Sequence, residues 1–244
     1  MSELPTYEGY LNQLPGTIID ILGVPPPSII PSPLTQISDP FKQVGVDRII
    51  LVILDNFGLF ETTYYKPQNM IANSNALVLL STKNPYTLGM FHQLMFGGFQ
   101  YLPDGFHLLK YLNDNQKSTV FVGRQKDVDR YSLQTPAIPK DSDMNTWIEA
   151  AKVINRHHLS IIHFLDFETL HRKTRAIQGS PEELIEKLIN RTDKWIHTMY
   201  MQLRSKSMMI ILGNHGRYKI DMNFSGKIAQ WRAASVPLAM CLYK

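Results

Sequence analysis

Six apolar runs constrain this chain more than any other feature: RIILVIL at 48–54, ALVLLS at 76–81, STVFVG at 118–123, LSIIHFL at 159–165, SMMIILG at 207–213 and VPLAMCLY at 236–243. A strand with one wet face alternates apolar and polar side chains, whereas a strand covered on both faces reads as a near-continuous apolar run. Several of the six are of the second kind. Helical patterns lie between them. NTWIEAAKVINRHH, 145–158, repeats Trp147, Ile148, Ala151 and Ile154. SPEELIEKLINRTDKWIHTMYMQLRSK, 180–206, opens with Ser180 as cap, Pro181 in the first turn and Glu183 closing a capping box. Its apolar stripe runs Leu184, Ile185, Leu188, Trp195, Ile196 and Met199. PDGFHLLKYLNDN, 103–115, predicts a shorter helix. Strands alternating with helices imply an α/β fold, a three-layer sandwich with a mostly parallel central sheet.

The chain has 244 residues, 44% hydrophobic and 19% charged, which is enough apolar material for a sizeable core. Residues 1–45 stand apart. YEGYLNQLPGTIIDILG predicts a short helix interrupted near Pro15, and VPPPSIIPSPL forces extended, polyproline-like backbone. The Ile and Leu side chains of this segment need burial. It is therefore read as an N-terminal helix and proline-rich arm wrapped on a domain of residues 46–244. A net charge of +4 without a basic block argues against nucleic acid. The lone Cys241 excludes a disulfide framework within one chain and reads as a buried core thiol. No apolar run approaches a membrane span and no secretory signal is visible, so a cytoplasmic protein without membrane contact is the expectation. The oligomeric state is left open.

Ligands of open α/β sheets bind outside the carboxyl ends of the strands. RIILVIL is followed by Asp55 and Asn56. LSIIHFL leads to Asp166 and, five residues on, His171. SMMIILG leads to Asn214 and His215, and ALVLLS to TKNPYT with Thr82 and Thr87. Each alone reads as well as a turn, a cap or a core residue. Gathered on one edge, they are the oxygen and nitrogen donors that divalent metals take. Arg124 and Lys126 follow STVFVG and form either a phosphate clamp or a solvated loop. His157 and His158 end a predicted helix, where the dipole favours imidazolium caps. His163, inside a strand, reads as a core residue pointing near Asp166. Glu168 is a substitute ligand if Asp166 caps a turn. HRKTR, 171–175, is locally basic and would attract an anionic substrate.

Four of these segments resemble motifs of the alkaline phosphatase superfamily, in particular its nucleotide pyrophosphatase/phosphodiesterase branch. ILVILDNFG resembles the first metal-binding motif, HFLDFETLHRKT the second and IILGNHGRYK the third. NPYTLGMFHQLMFGG resembles the nucleophile segment, in which a Thr opens a helix and a glycine lies ten residues on. That spacing sets Thr87 against Gly97 and favours Thr87 over Thr82. The motif order also matches, over roughly residues 47–244. The resemblance implies an alkaline phosphatase-like fold and metal-dependent hydrolysis of a phosphoester or phosphodiester, with Thr87 as nucleophile. It implies zinc or manganese held by Asp55, Thr87, Asn214 and His215 for one ion, and by Asp166 and His171 for another. Asn56 and Arg124 would contact the substrate. A Thr at a helix N-terminus suits an anionic substrate, because the helix dipole and free N–H groups favour negative charge there.

The sequence departs from the family pattern at three places. Asn214 stands where relatives carry Asp. No His follows His215, and the tail offers Lys227, Gln230 and Trp231 instead. Asn56 replaces a glycine, and either takes a left-handed turn or points an amide at a bound anion. Between Gly98 and Asp166 the pattern predicts one helix, one strand, a loop and another helix, which leaves no room for the inserted cap domain of mutase relatives. Three readings stay open: a minimal phosphodiesterase or phosphatase that keeps one metal ion; an inactive relative that keeps the fold and pocket and binds a phosphorylated ligand or a protein partner without turnover; and an α/β domain whose acids and histidines are structural.

Overall fold

The structure, a computed structural model, describes residues 9–98, 105–133, 135–174, 182–215 and 235–243. Its strands are β1 (Gly9–Tyr10), β2 (Arg48–Leu54), β3 (Ala76–Ser81), β4 (Thr119–Arg124), β5 (Ala137–Lys140), β6 (Leu159–Phe164), β7 (Ser207–Gly213) and β8 (Ser235–Leu242). They form one sheet in the order β1-β3-β8-β7-β2-β6-β4-β5. Among the described strands only β8 runs against the rest, pairing antiparallel with both β3 and β7. The expected α/β architecture with a mostly parallel sheet is what the chain adopts.

Helices cover both faces. In chain order they are α1 (Leu14–Ile21), α2 (Thr35–Gln43), α3 (Leu59–Tyr65), α4 (Gln68–Asn73), α5 (Thr87–Phe96), α6 (Leu108–Asp114), α7 (Gln125–Tyr131), α8 (Asp143–Val153), α9 (Asp166–Thr174) and α10 (Glu182–Tyr200). Strand β2 shows why its sequence is apolar throughout. Ile49, Leu51 and Ile53 enter one core with residues of α1, α2, α5, α6 and α7. Ile50, Val52 and Leu54 enter a second with residues of α4, α8, α9 and α10. Each fully buried Ile or Leu of such a layer contributes about 1.5–3 kcal/mol by transfer from water. No described helix is long and apolar enough to cross a membrane.

The N-terminal segment packs into the first core. Leu11, Leu14, Ile18 and Ile19 are fully buried there beside Ile49 and Met208. Pro15 does not interrupt a helix, as the sequence suggests; it sits in the first turn of α1, where its missing N–H costs nothing. Several further elements lie outside the sequence-based pattern, among them β1, β5 and α7. Strand β1 is only two residues long, too short to show a period. Strand β5 contains Pro139 and is tolerated because it is an edge strand of the sheet. Helix α7 is a short polar segment between β4 and β5. His157 and His158 are not imidazolium caps: α8 ends at Val153, and burial foremost, then nearby cations, holds both rings' pKa below the usual value. His158 Nδ1 instead accepts the Ser118 N–H at 3.0 Å. The proposed cap Ser180 with Pro181, and the tail residues Lys227, Gln230 and Trp231, lie outside the described residues.

Candidate active site

Strand register brings the site together. Leu54 of β2 is level with Phe164 of β6 and Gly213 of β7. The next residue on each strand continues the ladder: Asp55 N–H donates to Phe164 O at 3.0 Å, and Asn214 N–H to Leu54 O at 3.1 Å. Asp55 and Asn214 therefore leave the sheet side by side. Asn56 turns the chain with φ 58°, the left-handed conformation its short polar side chain tolerates. Thr87 arrives from another layer, as the first residue of α5. Gly89 allows that placement, because a Cβ there would lie 2.5 Å from Asn84 Cβ and 2.8 Å from the Asn84 carbonyl oxygen.

Three donor atoms converge. Thr87 Oγ1 donates to Asp55 Oδ1 at 3.0 Å and lies 3.2 Å from His215 Nε2. His215 Nε2 lies 3.5 Å from Asp55 Oδ1. Asn214 completes the set. Its Oδ1 accepts the Asn56 backbone N–H at 3.2 Å, and its Nδ2 donates a short hydrogen bond to Asp55 Oδ1. A backbone N–H on one side and a carboxylate on the other leave only this amide orientation. Asp55 and Asn214 are each 1% exposed and Asn56 3%. The Asn56 side-chain nitrogen has no hydrogen-bond partner among the described residues.

Behind Asp55 lies a residue whose role the sequence did not reveal. His163, fully buried, places Nε2 4.0 Å from Asp55 Oδ2. Its Nδ1 donates to Asp127 Oδ2 at 3.1 Å, since a carboxylate only accepts. The ring stands edge-on to Phe91, 4.8 Å between centroids at 70°. Asp127 lies on α7, 36 residues from His163 in the chain, and no local spacing links the two. Thr82 is elsewhere: its hydroxyl bonds the Gln93 amide at 2.7 and 3.0 Å.

Asp166 is engaged by arginines instead, and His171 lies on the same helix, α9. Asp166 opens α9, with Oδ1 3.4 Å from Arg124 Nη2 and Oδ2 2.7 Å from Arg191 Nη2. Arg124 also reaches Asp143 at 3.2 Å and the Asp141 carbonyl oxygen. Asp143 accepts the backbone N–H groups of Leu165 at 3.0 Å and Asp166 at 2.7 Å. Burial foremost, then the Asp166 charge, pushes the Asp143 carboxyl above its usual range. Glu168 pairs with Arg172 at 2.9 Å. Neither Arg191 nor Asp143 was legible as part of this cluster, because ion partners on separate helices carry no spacing signature.

The donor set fits one metal ion. Zinc–oxygen and zinc–nitrogen bonds of about 2.0–2.1 Å give a tetrahedral shell with edges of about 3.3–3.4 Å. The Thr87–Asp55–His215 triangle has edges of 3.0, 3.2 and 3.5 Å. Among the described residues no group of three His, Cys, Asp or Glu is placed to hold a metal; this triangle supplies two such residues and a hydroxyl.

No protein-family model matches the chain, and no curated protein sequence matches it. Solved structures do. The zinc complex of the C-terminal periplasmic domain of EptC from Escherichia coli superposes with a TM-score of 0.55 at 12% identity, over 81% of this chain and 73% of that one. An inactive variant of murine ectonucleotide pyrophosphatase/phosphodiesterase 5, in complex with AMP, gives 0.54 at 10% identity, over 69% of this chain and 57% of that one. A Vibrio parahaemolyticus protein of the alkaline phosphatase superfamily gives 0.58 at 9% identity, over 81% and 60%. The chain thus spans less than two thirds of the length of the last two. Sheet, layers and these superpositions agree on one assignment: this chain has the fold of the alkaline phosphatase superfamily.

Proposed function

We propose that the protein hydrolyses a small phosphoester or phosphodiester with Thr87 as nucleophile and a divalent metal ion, zinc or manganese, held by Asp55, His215 and Thr87. The observation that carries this reading is the position of Thr87 Oγ1. It lies at a helix N-terminus, between a buried carboxylate at 3.0 Å and an imidazole at 3.2 Å. A bound ion would polarise a phosphoryl oxygen and favour the alkoxide form of the hydroxyl. Thr87 Oγ1 would form the bond to phosphorus as the bond from phosphorus to the leaving oxygen breaks; the Thr87 proton would pass to water when the hydroxyl meets the ion, and a proton from water would convert the leaving alkoxide into the alcohol. Water then cleaves the phosphothreonine ester. The first N–H groups of α5 lack helical partners and suit the phosphoryl oxygens. The orphan amide of Asn56 is a further donor beside them. Arg124 is already engaged by Asp143 and Asp166, so the substrate clamp is assigned to α5 and Asn56 instead.

The test is hydrolysis of bis-(p-nitrophenyl) phosphate by protein loaded with zinc or manganese. Metal-dependent turnover that falls about 100-fold or more in Thr87→Ala supports the reading, on the scale of losing a nucleophile. Equal inertness of wild type and variant with both metals refutes it. A second reading, an inactive protein that binds a phosphoester, is favoured by one contact: Asn214 presents an amide N–H, not a carboxylate, to Asp55. Calorimetric binding of AMP or a phosphodiester by an inert wild type would select that reading.

A further inference from the structure

We infer that Asp166 clamps two guanidinium groups and is not a metal ligand, so that the site takes a single ion. The inference rests on the metal reading above and adds the ion count to it. Both Asp166 oxygens are engaged, Oδ1 by Arg124 at 3.4 Å and Oδ2 by Arg191 at 2.7 Å. Neither arginine is free to swing away. Arg124 is tied to Asp143, 2% exposed, and to the Asp141 carbonyl oxygen. Arg191 lies over the Trp195 ring, 4.3 Å from its centroid, and Trp195 stacks on Trp147 at 5.3 Å. Two guanidiniums and two carboxylates already sum to zero charge. A dication entering at Asp166 would meet two fixed cations of like sign.

Helix geometry adds an independent obstacle. Asp166 and His171 both lie on α9, five positions apart. At 3.6 residues per turn that separation rotates their side chains about 140° from each other. Two ligands on one helix face need a spacing of three or four. The start of α9 cannot shift to repair the phase, because Asp143 holds the N–H groups of Leu165 and Asp166. The second motif of the sequence thus serves as an ion-pair lock between β4, α8, α9 and α10.

The experiment counts ions. The full chain is loaded with zinc, freed of excess by gel filtration, and assayed by atomic emission and by calorimetry. One ion per chain is expected for the wild type, and none for His215→Ala. Asp166→Asn should keep one ion with an affinity within about threefold of wild type, while its melting temperature falls because two guanidiniums lose their partner. Two ions in the wild type, one of them lost in Asp166→Asn, would overturn the inference and leave the hydrolase reading standing. No ion in the wild type would overturn the metal reading and the count together, a pattern distinct from the first. If Asp166→Asn does not fold, the wild-type count alone decides.

Discussion

Replacing Asn214 by Asp sets a second carboxylate against Asp55, and the geometry predicts a destabilised protein. Asn214 Nδ2 donates to Asp55 Oδ1 while both side chains are 1% exposed. The substitution turns that donor into a second buried anion. Two unit charges about 4 Å apart repel by ~4 kcal/mol at an effective dielectric of 20, and the lost hydrogen bond adds about 1 kcal/mol. Proton uptake by the pair relieves part of this. A loss of roughly 3–5 kcal/mol at pH 8 is therefore expected, a large share of the ~5–15 kcal/mol that holds a typical fold. The sign with pH follows. The new carboxyl pair binds a proton more tightly folded than unfolded, so its penalty is absent below about pH 4 and grows as pH rises through the raised folded value.

Zinc should reverse the penalty, because a dication between Asp55 and the new acid removes the repulsion. A ligand at 100 times its dissociation constant adds about 2.7 kcal/mol. Urea denaturation of wild type and Asn214→Asp at pH 5 and pH 8, with chelator and with zinc, measures all four terms. The gap between the proteins should be wide at pH 8 with chelator, narrower at pH 5, and smallest with zinc. A gap under about 1 kcal/mol at pH 8 with chelator, unmoved by zinc, would refute the placement of Asn214 against Asp55.

Other predictions follow from residues away from the nucleophile. His107 is 4% exposed, its Nε2 bonds the Tyr131 carbonyl oxygen at 2.9 Å, and its Nδ1 accepts the Lys110 N–H. Burial lowers its pKa from 6.5 to about 4. The neutral ring thus contributes stability that is complete above pH 6.5 and is lost as pH falls through 4, about 3 kcal/mol in all. Stability of His107→Asn measured from pH 7.5 to 4 should lack this slope. Ile18→Ala should cost about 2–5 kcal/mol in thermal or urea unfolding, since Ile18 is fully buried in the core shared with β2 and β7; a cost near zero would make the N-terminal segment dispensable. Burial raises the Cys241 thiol to about 11, so a disulfide reagent at pH 8 should modify it only as fast as the protein unfolds.

Much of this architecture was legible because buried strands announce themselves. RIILVIL and SMMIILG match β2 and β7 residue for residue, since strands covered on both faces leave polar residues only at their ends. The same rule placed Asp55, Asn214 and Asp166 on one edge. What the rule does not carry is partner choice across layers. Asp166 was legible as a strand-end acid, but its guanidinium partners come from β4 and α10, 42 and 25 residues away. His163 looked like core because it is core, fully buried against Phe91; that its two nitrogens face Asp127 and Asp55 depends on how α7 packs, and α7 itself was unreadable in a polar seven-residue stretch.

The contacts of Asp55 explain how a carboxylate is held in this buried position. A buried carboxylate is tolerated only when donors or cations compensate it. Asp55 meets that demand with the Thr87 hydroxyl and the Asn214 amide, both donating to Oδ1. Were residue 214 an acid, the same pocket would hold two facing anions, and its stability would depend on an ion or a proton to offset a cost of roughly 3–5 kcal/mol. The amide breaks that dependence, and it also weakens the site's pull on a dication by one unit of charge. Stability of the pocket and its affinity for a dication are thus set against each other at a single side chain. For that reason the Asn214→Asp comparison, with and without zinc, reads out how strongly this pocket takes an ion.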